Sequence, residues 1–466
     1  MIAAPHKPAT APFRALAAWV LVDWALQPFH TLILTFLFAP YFTTAVAESP
    51  ARGQALWGYA AALAGVLIAA GSPLLGAAAD RTGRRKPWVA ASILVLAMAA
   101  ATLWIARPAA DAATITLVLA AVVIGIAASE FTTVFTNSLM PTLVGPRQLG
   151  RLSGMGWAVG YTGGLVSLAV MAGLLVADPA TGSTLLGLTP IVELDTALRT
   201  GDRLVGPFAA VWLLIFMLPF FLLVPDVRGP LLPRSARSSL SELWATLQAL
   251  PRRPNIALFL IARALYTDGL AAIFVFGGIY GTSVFGWQAF ERGLFGIILT
   301  LAGIAGAAAG GILDDRLGAK RVIIGALTIL IVGSIGILSV SHAHVLFTIP
   351  VAPKIAGSSP FSSTGEQVFL AFAIVIATVS APNQSASRSL MARLSPPDRA
   401  AQYFGLFAFS GKVTAFAAPL LVALVTDWTA NQRAGMAAIL LFLIAGLIVL
   451  LPVREAGSTA GDPVRR

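Results

Sequence analysis

Two stretches decide the reading of this chain: GAAADRTGRRK, residues 76–86, and GILDDRLGAKR, residues 311–321. Gly76, Asp80, Arg81, Gly83, Arg85 and Lys86 of the first match Gly311, Asp315, Arg316, Gly318, Lys320 and Arg321 of the second. One shared tetrapeptide arises by chance. Six matched positions, each following a long apolar run, mark an internal duplication. Outward from the two stretches the chain is a succession of such runs. A helix crossing the hydrocarbon core of a bilayer needs about 20 predominantly apolar residues. Twelve runs meet that requirement, at 15–42, 54–79, 87–106, 112–140, 151–177, 204–224, 255–286, 292–313, 321–340, 365–391, 401–426 and 433–452. The quoted stretches follow the second and the eighth.

Composition agrees. Of 466 residues 58% are hydrophobic and 11% charged, where a soluble domain carries about 25% charged residues. A larger core cannot produce that deficit, so the solvent around most of the chain is lipid. The net charge of +11 does not indicate nucleic acid, because the basic residues sit in short loops between apolar runs. There is no cysteine, which excludes disulfides, thiolate metal sites and cysteine nucleophiles. The sequence holds no P-loop, no HExxH and no Gly-x-Ser-x-Gly. No catalytic residue, cofactor or metal is expected, and the chain does not read as an enzyme. Residues 1–12 do not read as a cleaved signal, since the run that follows is far longer than a signal core.

Lysine and arginine set the orientation. With the N-terminus inside, 22 of the 31 basic residues fall on the inner side and seven outside, at Arg52, Arg107, Arg199, Arg203, Arg292, Lys354 and Arg433; Arg263 and Lys412 lie within runs. Both termini are therefore expected in the cytoplasm. The Pro- and Arg-rich segment 225–254 is the longest inner loop. The expected layout is a six-helix half over 1–226, a cytoplasmic linker over 227–254, a second six-helix half over 255–453 and a tail over 454–466. Leu240, Leu243, Leu247 and Leu250 recur at helical spacing and predict a linker helix on the membrane surface. Two parallel six-helix repeats are a transporter architecture.

Both quoted stretches resemble the loop motif of the major facilitator superfamily, G-x-x-x-D-R-x-G-R/K-R/K. A finer resemblance covers nearly the whole chain. DWALQPF from Asp23, VFTNSLMP ending at Pro141, GMGWAVGYTGG ending at Gly164, LYTDGLAAIFVFGGIYG from Leu265 and FGLFAFSGKVTAFAAPLL from Phe404 are similar to the vacuole effluxer family. Its fungal members export amino acids from the vacuole. The resemblance implies the all-α major facilitator fold and a secondary carrier of a small solute, such as an amino acid, working by alternating access with protons as the candidate driving ion. It further implies a monomer in the bacterial inner membrane, with lipid and solute as partners. Two departures speak against a drug–proton antiporter. The fourth run carries Glu130 where such proteins carry arginine, and Tyr161 follows Gly160 where they carry a Gly-Pro pair.

Ionisable groups within a bilayer cost about 2.5–3.5 kcal/mol each on insertion scales and are functional candidates by default. Asp23, Glu130, Arg263, Asp268 and Lys412 fall well inside runs, roughly 12–20 Å from the inner surface at the helical rise. The superfamily resemblance implies that the first helix of each three-helix unit lines the cavity, and four of the five lie on such helices. Three acids against two bases leave one carboxyl expected to hold a proton. Arg263 and Asp268 are five apart, off one helical face. Gln27, His30, Asn137, Tyr266 and Asn383 are the neutral candidates, each read first as an interhelical hydrogen bond. Gly156, Gly160 and Gly164, like Gly306 and Gly310, recur every four residues and predict close helix packing. Gly76, Asp80, Arg81, Gly83, Gly311, Asp315, Arg316 and Gly318 are expected to form a cytoplasmic gate. Two other readings stay open here: a sugar–cation symporter, which has a similar basic loop (DRTGRRKPW), and a membrane assembly or sensing factor that carries no solute.

Overall fold

The computed structural model describes residues 10–177, 181–185, 187–192, 194–226, 239–355 and 357–455. The linker residues 227–238 and the tail 456–466 lie outside them. Eleven helices among the described residues are long and apolar enough to cross a membrane: α1 Phe13–Val46, α2 Pro50–Thr82, α3 Lys86–Ile105, α4 Ala112–Leu143, α5 Pro146–Leu175, α6 Thr200–Leu223, α8 Pro254–Phe285, α9 Phe290–Leu317, α10 Ala319–Leu338, α11 Thr364–Leu394 and α14 Gln432–Leu450. Between α6 and α8 lies the short α7, Ser239–Ala249. The run expected at 401–426 is instead two helices, α12 Ala400–Ser410 and α13 Ala417–Thr429, joined by turns over 411–416. With that interrupted pair the architecture is the all-α, two-repeat arrangement expected.

Local chemistry sets the helix ends. Ser49 opens α2 by accepting from the Arg52 N–H, with Pro50 in the first turn, and Gly83 closes it in the left-handed region at φ 65°, which glycine enters without a Cβ penalty. Asp111 opens α4 by accepting from the Thr114 N–H at 3.1 Å; bonds from Thr114 hold its carboxyl below the ordinary aspartate value. Ser363 and Glu366 form a capping box at the start of α11. The loop before α11 carries a minimal hairpin, β1 His344–Val345 antiparallel to β2 Ile349–Pro350.

Leu63, Leu94, Leu218, Leu222, Val275, Leu424 and Ile448 are each more than half exposed. Apolar faces of that extent belong against acyl chains. The polar side chains of the spans turn inward.

The chain packs as two compact units. Unit 1 comprises Met1–Gly145, Val159–Leu243 and Pro396–Ala408; unit 2 comprises Pro146–Ala158, Trp244–Ser395 and Phe409–Arg466. In unit 1, α6 packs on α1 and α3, and α4 packs on α2 and α3. In unit 2, α14 packs on α8 and α10, and α11 packs on α9 and α10. The same set of pairings is therefore built twice. Gly306 shows how close these helices come. Pro382 of α11 has no N–H, so the Thr378 carbonyl lacks its helical partner. Gly306 of α9 lies over that carbonyl, and a Cβ there would sit 1.9 Å from the oxygen. Gly310 packs on Pro382 itself.

Candidate functional site

The duplicated loops come first. In unit 1, Asp80 is 3% exposed and closes on the start of α12. It accepts from the Ala401 N–H at 3.1 Å and the Gln402 N–H at 2.7 Å, where the helix end offers unpaired donors and positive potential. Arg85 Nη2 donates to the same carboxylate at 2.5 Å. A Cβ on Gly76 would sit 2.3 Å from the Ala401 carbonyl. In unit 2, Asp315 accepts from the Arg151 N–H at 3.2 Å, at the start of α5, and Gly311 packs against Gly150. Asp80 and Asp315 thus do the same work on two different helix N-termini. Arg81 is half-buried, and Arg316 is exposed and makes no ion pair among the described residues.

Those two N-termini expose a second duplication that the sequence reading missed. Ser138-Leu139-Met140 matches Ser389-Leu390-Met391, and Gly150, Arg151, Gly154 and Gly160 stand at the same offset from Ala401, Gln402, Gly405 and Gly411. Pro146–Gln148 and Pro397–Arg399 both form a 3₁₀ turn. The signal was the shared SLM tripeptide, with a proline eight residues after its serine in each copy.

Five further charged positions were overlooked: Asp226, Asp314, Arg388, Arg393 and Glu455. Asp226 accepts from the Arg85 N–H at 3.1 Å, and Lys86 Nζ donates to the Phe221 carbonyl at 2.7 Å. Glu455 accepts from the Ala319 and Lys320 N–H groups at 3.1 and 3.0 Å, and Lys320 Nζ donates to the Leu451 carbonyl at 2.6 Å. The structural counterpart of Lys86 is therefore Lys320, not Arg321, because the second loop is shorter after its glycine. Asp314, 1% exposed, accepts from Arg393 Nη1 at 2.6 Å and from Ser389 Oγ; the same Nη1 donates to Glu455 at 2.9 Å. Arg388 is buried in α11 and donates through Nε to Ser153 Oγ at 2.8 Å.

At membrane depth, unit 1 carries Asp23 on α1, half-buried, with its Cβ 3.0 Å from where a Cβ on Gly160 would lie. Gln27 lies over Gly164 and donates to Thr31 Oγ1 at 3.4 Å. Beyond Pro28 the helix widens to π-helical bonding over Phe29–Phe36, a departure that often marks functional positions. There His30 Nε2 pairs with Ser129 Oγ at 2.9 Å. Glu130 is half-buried and Asn137 buried, both on α4.

Unit 2 gathers Arg263, Asp268 and Lys412 around the interruption between α12 and α13. Arg263, 8% exposed, donates through Nη1 to Ser410 Oγ at 2.9 Å, with its guanidinium against Gly411. Lys412 is half-buried within the turns. Asp268 faces the Thr414 hydroxyl and the Ala418 N–H at the start of α13. Arg263 and Asp268 thus serve opposite ends of the break. Tyr266 bonds to Ser387 Oγ at 2.7 Å. Asn383 is apart from this group, on α11, fully buried, with neither amide atom hydrogen-bonded among the described residues.

A last ion cluster joins the other end of unit 2. Lys354 contacts Glu291 and, at 2.9 Å, Glu366, which also accepts from Trp287 Nε1 at 2.8 Å. Burial lowers the Lys354 pKa, but bonds to the two carboxylates outweigh it and raise the ammonium above its ordinary value.

The profile of the family described as "Vacuole effluxer Atg22 like" matches residues 54–460. The uncharacterized MFS-type transporter YxiO of Bacillus subtilis (strain 168) is 23% identical over 453 residues, 95% of either chain. Autophagy-related protein 22 of Cryptococcus neoformans var. neoformans serotype D (strain JEC21) is 26% identical over 310 residues, 65% of this chain. The chain spans about half the length of that fungal relative, 49%. In fold the chain is similar to the major facilitator superfamily transporter FucP, with TM-score 0.68 at 14% identity over 94% of this chain and 97% of that one. The proton:xylose symporter XylE gives TM-score 0.68 at 14% identity over 95% and 96%. Helices built in duplicate, polar groups turned inward and these likenesses describe a membrane transporter of the major facilitator type, and the chain belongs to the vacuole effluxer Atg22-like family.

Proposed function

We propose that this protein carries small carboxylate-bearing solutes, amino acids foremost, across the bacterial inner membrane by alternating access. The observation that carries the reading is the placement of Arg263 and Lys412, two basic side chains, at one interruption of a spanning helix. Discontinuous helices are where transporters of other folds hold charged substrates, and a guanidinium offers a planar fork to a carboxylate. The family relationship supplies the amino-acid expectation. Asp23 and Gln27, over the glycines of α5, supply polar contacts in unit 1; Glu130, Asn137 and Asn383 complete the polar positions of the pathway. Gly76, Asp80, Arg81 and Gly83, with Gly311, Asp315, Arg316 and Gly318, act as the cytoplasmic gate. Capping a helix N-terminus is strong when the helix is in place and lost when it swings away. In this reading the termini are cytoplasmic, the working unit is a monomer, and a carboxyl such as Asp23 couples transport to protons.

The test is counterflow of labelled amino acids into proteoliposomes. Removing a charge-assisted hydrogen bond costs about 1.5–3 kcal/mol, a KM increase of roughly 10- to 100-fold. Arg263→Gln or Lys412→Gln should raise KM by that factor for carboxylate-bearing solutes. A parent protein that exchanges sugars but no amino acid, or variants with unchanged KM, defeats the proposal.

A further inference from the structure

We infer that the hairpin after α10, with Leu346 and Phe347 at its tip, is an interfacial anchor that inserts into the lipid leaflet at the end of α10 away from the loop motif. β1 and β2 pair with His344 opposite Pro350 and Val345 opposite Ile349, which leaves Leu346, Phe347 and Thr348 as the turn. Leu346 and Phe347 both hold left-handed backbone, at φ 50° and 68°. Turns ordinarily give that conformation to Asn or Gly. Here it falls to two large apolar side chains, and neither is hidden: Leu346 is 51% exposed and Phe347 54%. Ile349 beside them is 50% exposed, and Ile355 further along 75%. Large apolar side chains displayed on a turn that disfavours them mark a surface that meets something apolar.

The position of the tip names the partner. Helix α10 has 20 residues, a length of about 30 Å at the helical rise, which matches the hydrocarbon layer. Its first turn stands at one boundary, where Glu455 accepts from the Ala319 and Lys320 N–H groups. Its last turn therefore reaches the other. There the Phe347 N–H donates to the Ser339 carbonyl at 3.0 Å, so the hairpin turn lies on the end of the span rather than out in water. Below it Ile329, Val332 and Ile335 of α10 are 41%, 60% and 42% exposed. The tip continues that lipid-facing apolar surface. Between Arg321 and Lys354 the sequence carries no Asp, Glu, Lys or Arg, so no full charge in the segment opposes its transfer out of water. The loop is also held firmly. The Val351 N–H donates to the Ala343 carbonyl at 2.9 Å, and Lys354 ties the segment to Glu291 and Glu366 in the first turns of α9 and α11. The anchor thus fixes the ends of these helices relative to the leaflet.

The inference rests on the membrane fold and not on any solute. The chain has no cysteine, so a single introduced cysteine carries a nitroxide label without background. Leu346→Cys, Phe347→Cys and Ile349→Cys are made one at a time in the full-length protein, in vesicles of phosphatidylethanolamine and phosphatidylglycerol. Val332→Cys on the lipid face of α10 and Ser359→Cys, exposed in the same loop, are the references. Relative to the Ser359 label, tip labels should collide about threefold more often with oxygen and about threefold less often with a water-soluble nickel chelate, because hydrocarbon admits the apolar gas and rejects the polar complex. A tip variant that fails to fold leaves the other tip positions to decide. Tip labels that meet the chelate as freely as Ser359 overturn the anchor. So do labels shielded from both reagents, which place the tip against protein.

Discussion

Replacing Arg393 with alanine tests whether the loop-end ion clusters hold unit 2 together. Arg393 Nη1 lies 2.6 Å from Asp314 and 2.9 Å from Glu455, and the three side chains are 7%, 1% and 7% exposed. Removing one partner of a buried pair typically costs 3–5 kcal/mol, because the other charge is left without compensation. Asp314 keeps Ser389, and Glu455 keeps the Ala319 and Lys320 N–H groups, which places the loss at about 3 kcal/mol, the lower end. For a protein of 466 residues that is roughly 3 °C in Tm, measured by heating in detergent with intrinsic tryptophan fluorescence. The decisive comparison is the double variant. Asp314→Ala added to Arg393→Ala removes the stranded carboxylate, so the pair should be less damaged than Arg393→Ala alone, with a coupling of about 1–2 kcal/mol. An Arg393→Ala protein whose Tm equals that of the parent refutes the argument. Losses that simply add in the double variant do the same.

Two further outcomes follow from the gate and the topology. Asp80→Asn or Asp315→Asn should slow exchange in proteoliposomes while equilibrium solute binding persists, because in the proposed gate these residues bias a conformational equilibrium rather than touch solute; loss of binding in a folded variant contradicts a gate. Reporter fusions after Arg237 and after Arg454 should both report the cytoplasm, and a periplasmic signal from either reverses the orientation.

The spans were legible because a bilayer imposes one length and one polarity, so composition alone marks them to within a few residues. The interruption after Ser410 was not. SGKVTAF reads as an apolar run containing one lysine, and the residues that meet the two ends of the break lie far away in sequence: Arg263 engages Ser410 and Asp268 faces the α13 N-terminus. Hydropathy is blind to such pairings. The loop motif yielded Asp80 and Asp315 but not Asp314, since the doublet Asp314-Asp315 gave no hint which carboxyl matched the first copy; both are used, one on a helix end and one on Arg393. Glu455 looked like part of a charged tail until its two backbone donors were in place. His30 and Tyr266 were read as hydrogen-bonding residues or functional ones, and each does hold a serine on another helix.

Helix α11 is a strut tied at both ends. Its 31 residues make a rod of about 46 Å at the helical rise, half as long again as the roughly 30 Å hydrocarbon layer. Glu366 in its first turn is fastened through Lys354 to Glu291, and Arg393 in its last turn is fastened to Asp314. Glu291 and Asp314 lie at opposite ends of the same neighbouring helix, α9. Midway, Gly306 lies directly on the Thr378 carbonyl and Gly310 on the Pro382 ring, so the two rods are keyed together at their closest approach. Two beams bolted at both ends and keyed at the centre form a truss. A load applied at the Arg393 end reaches the Lys354 end without being absorbed along the way.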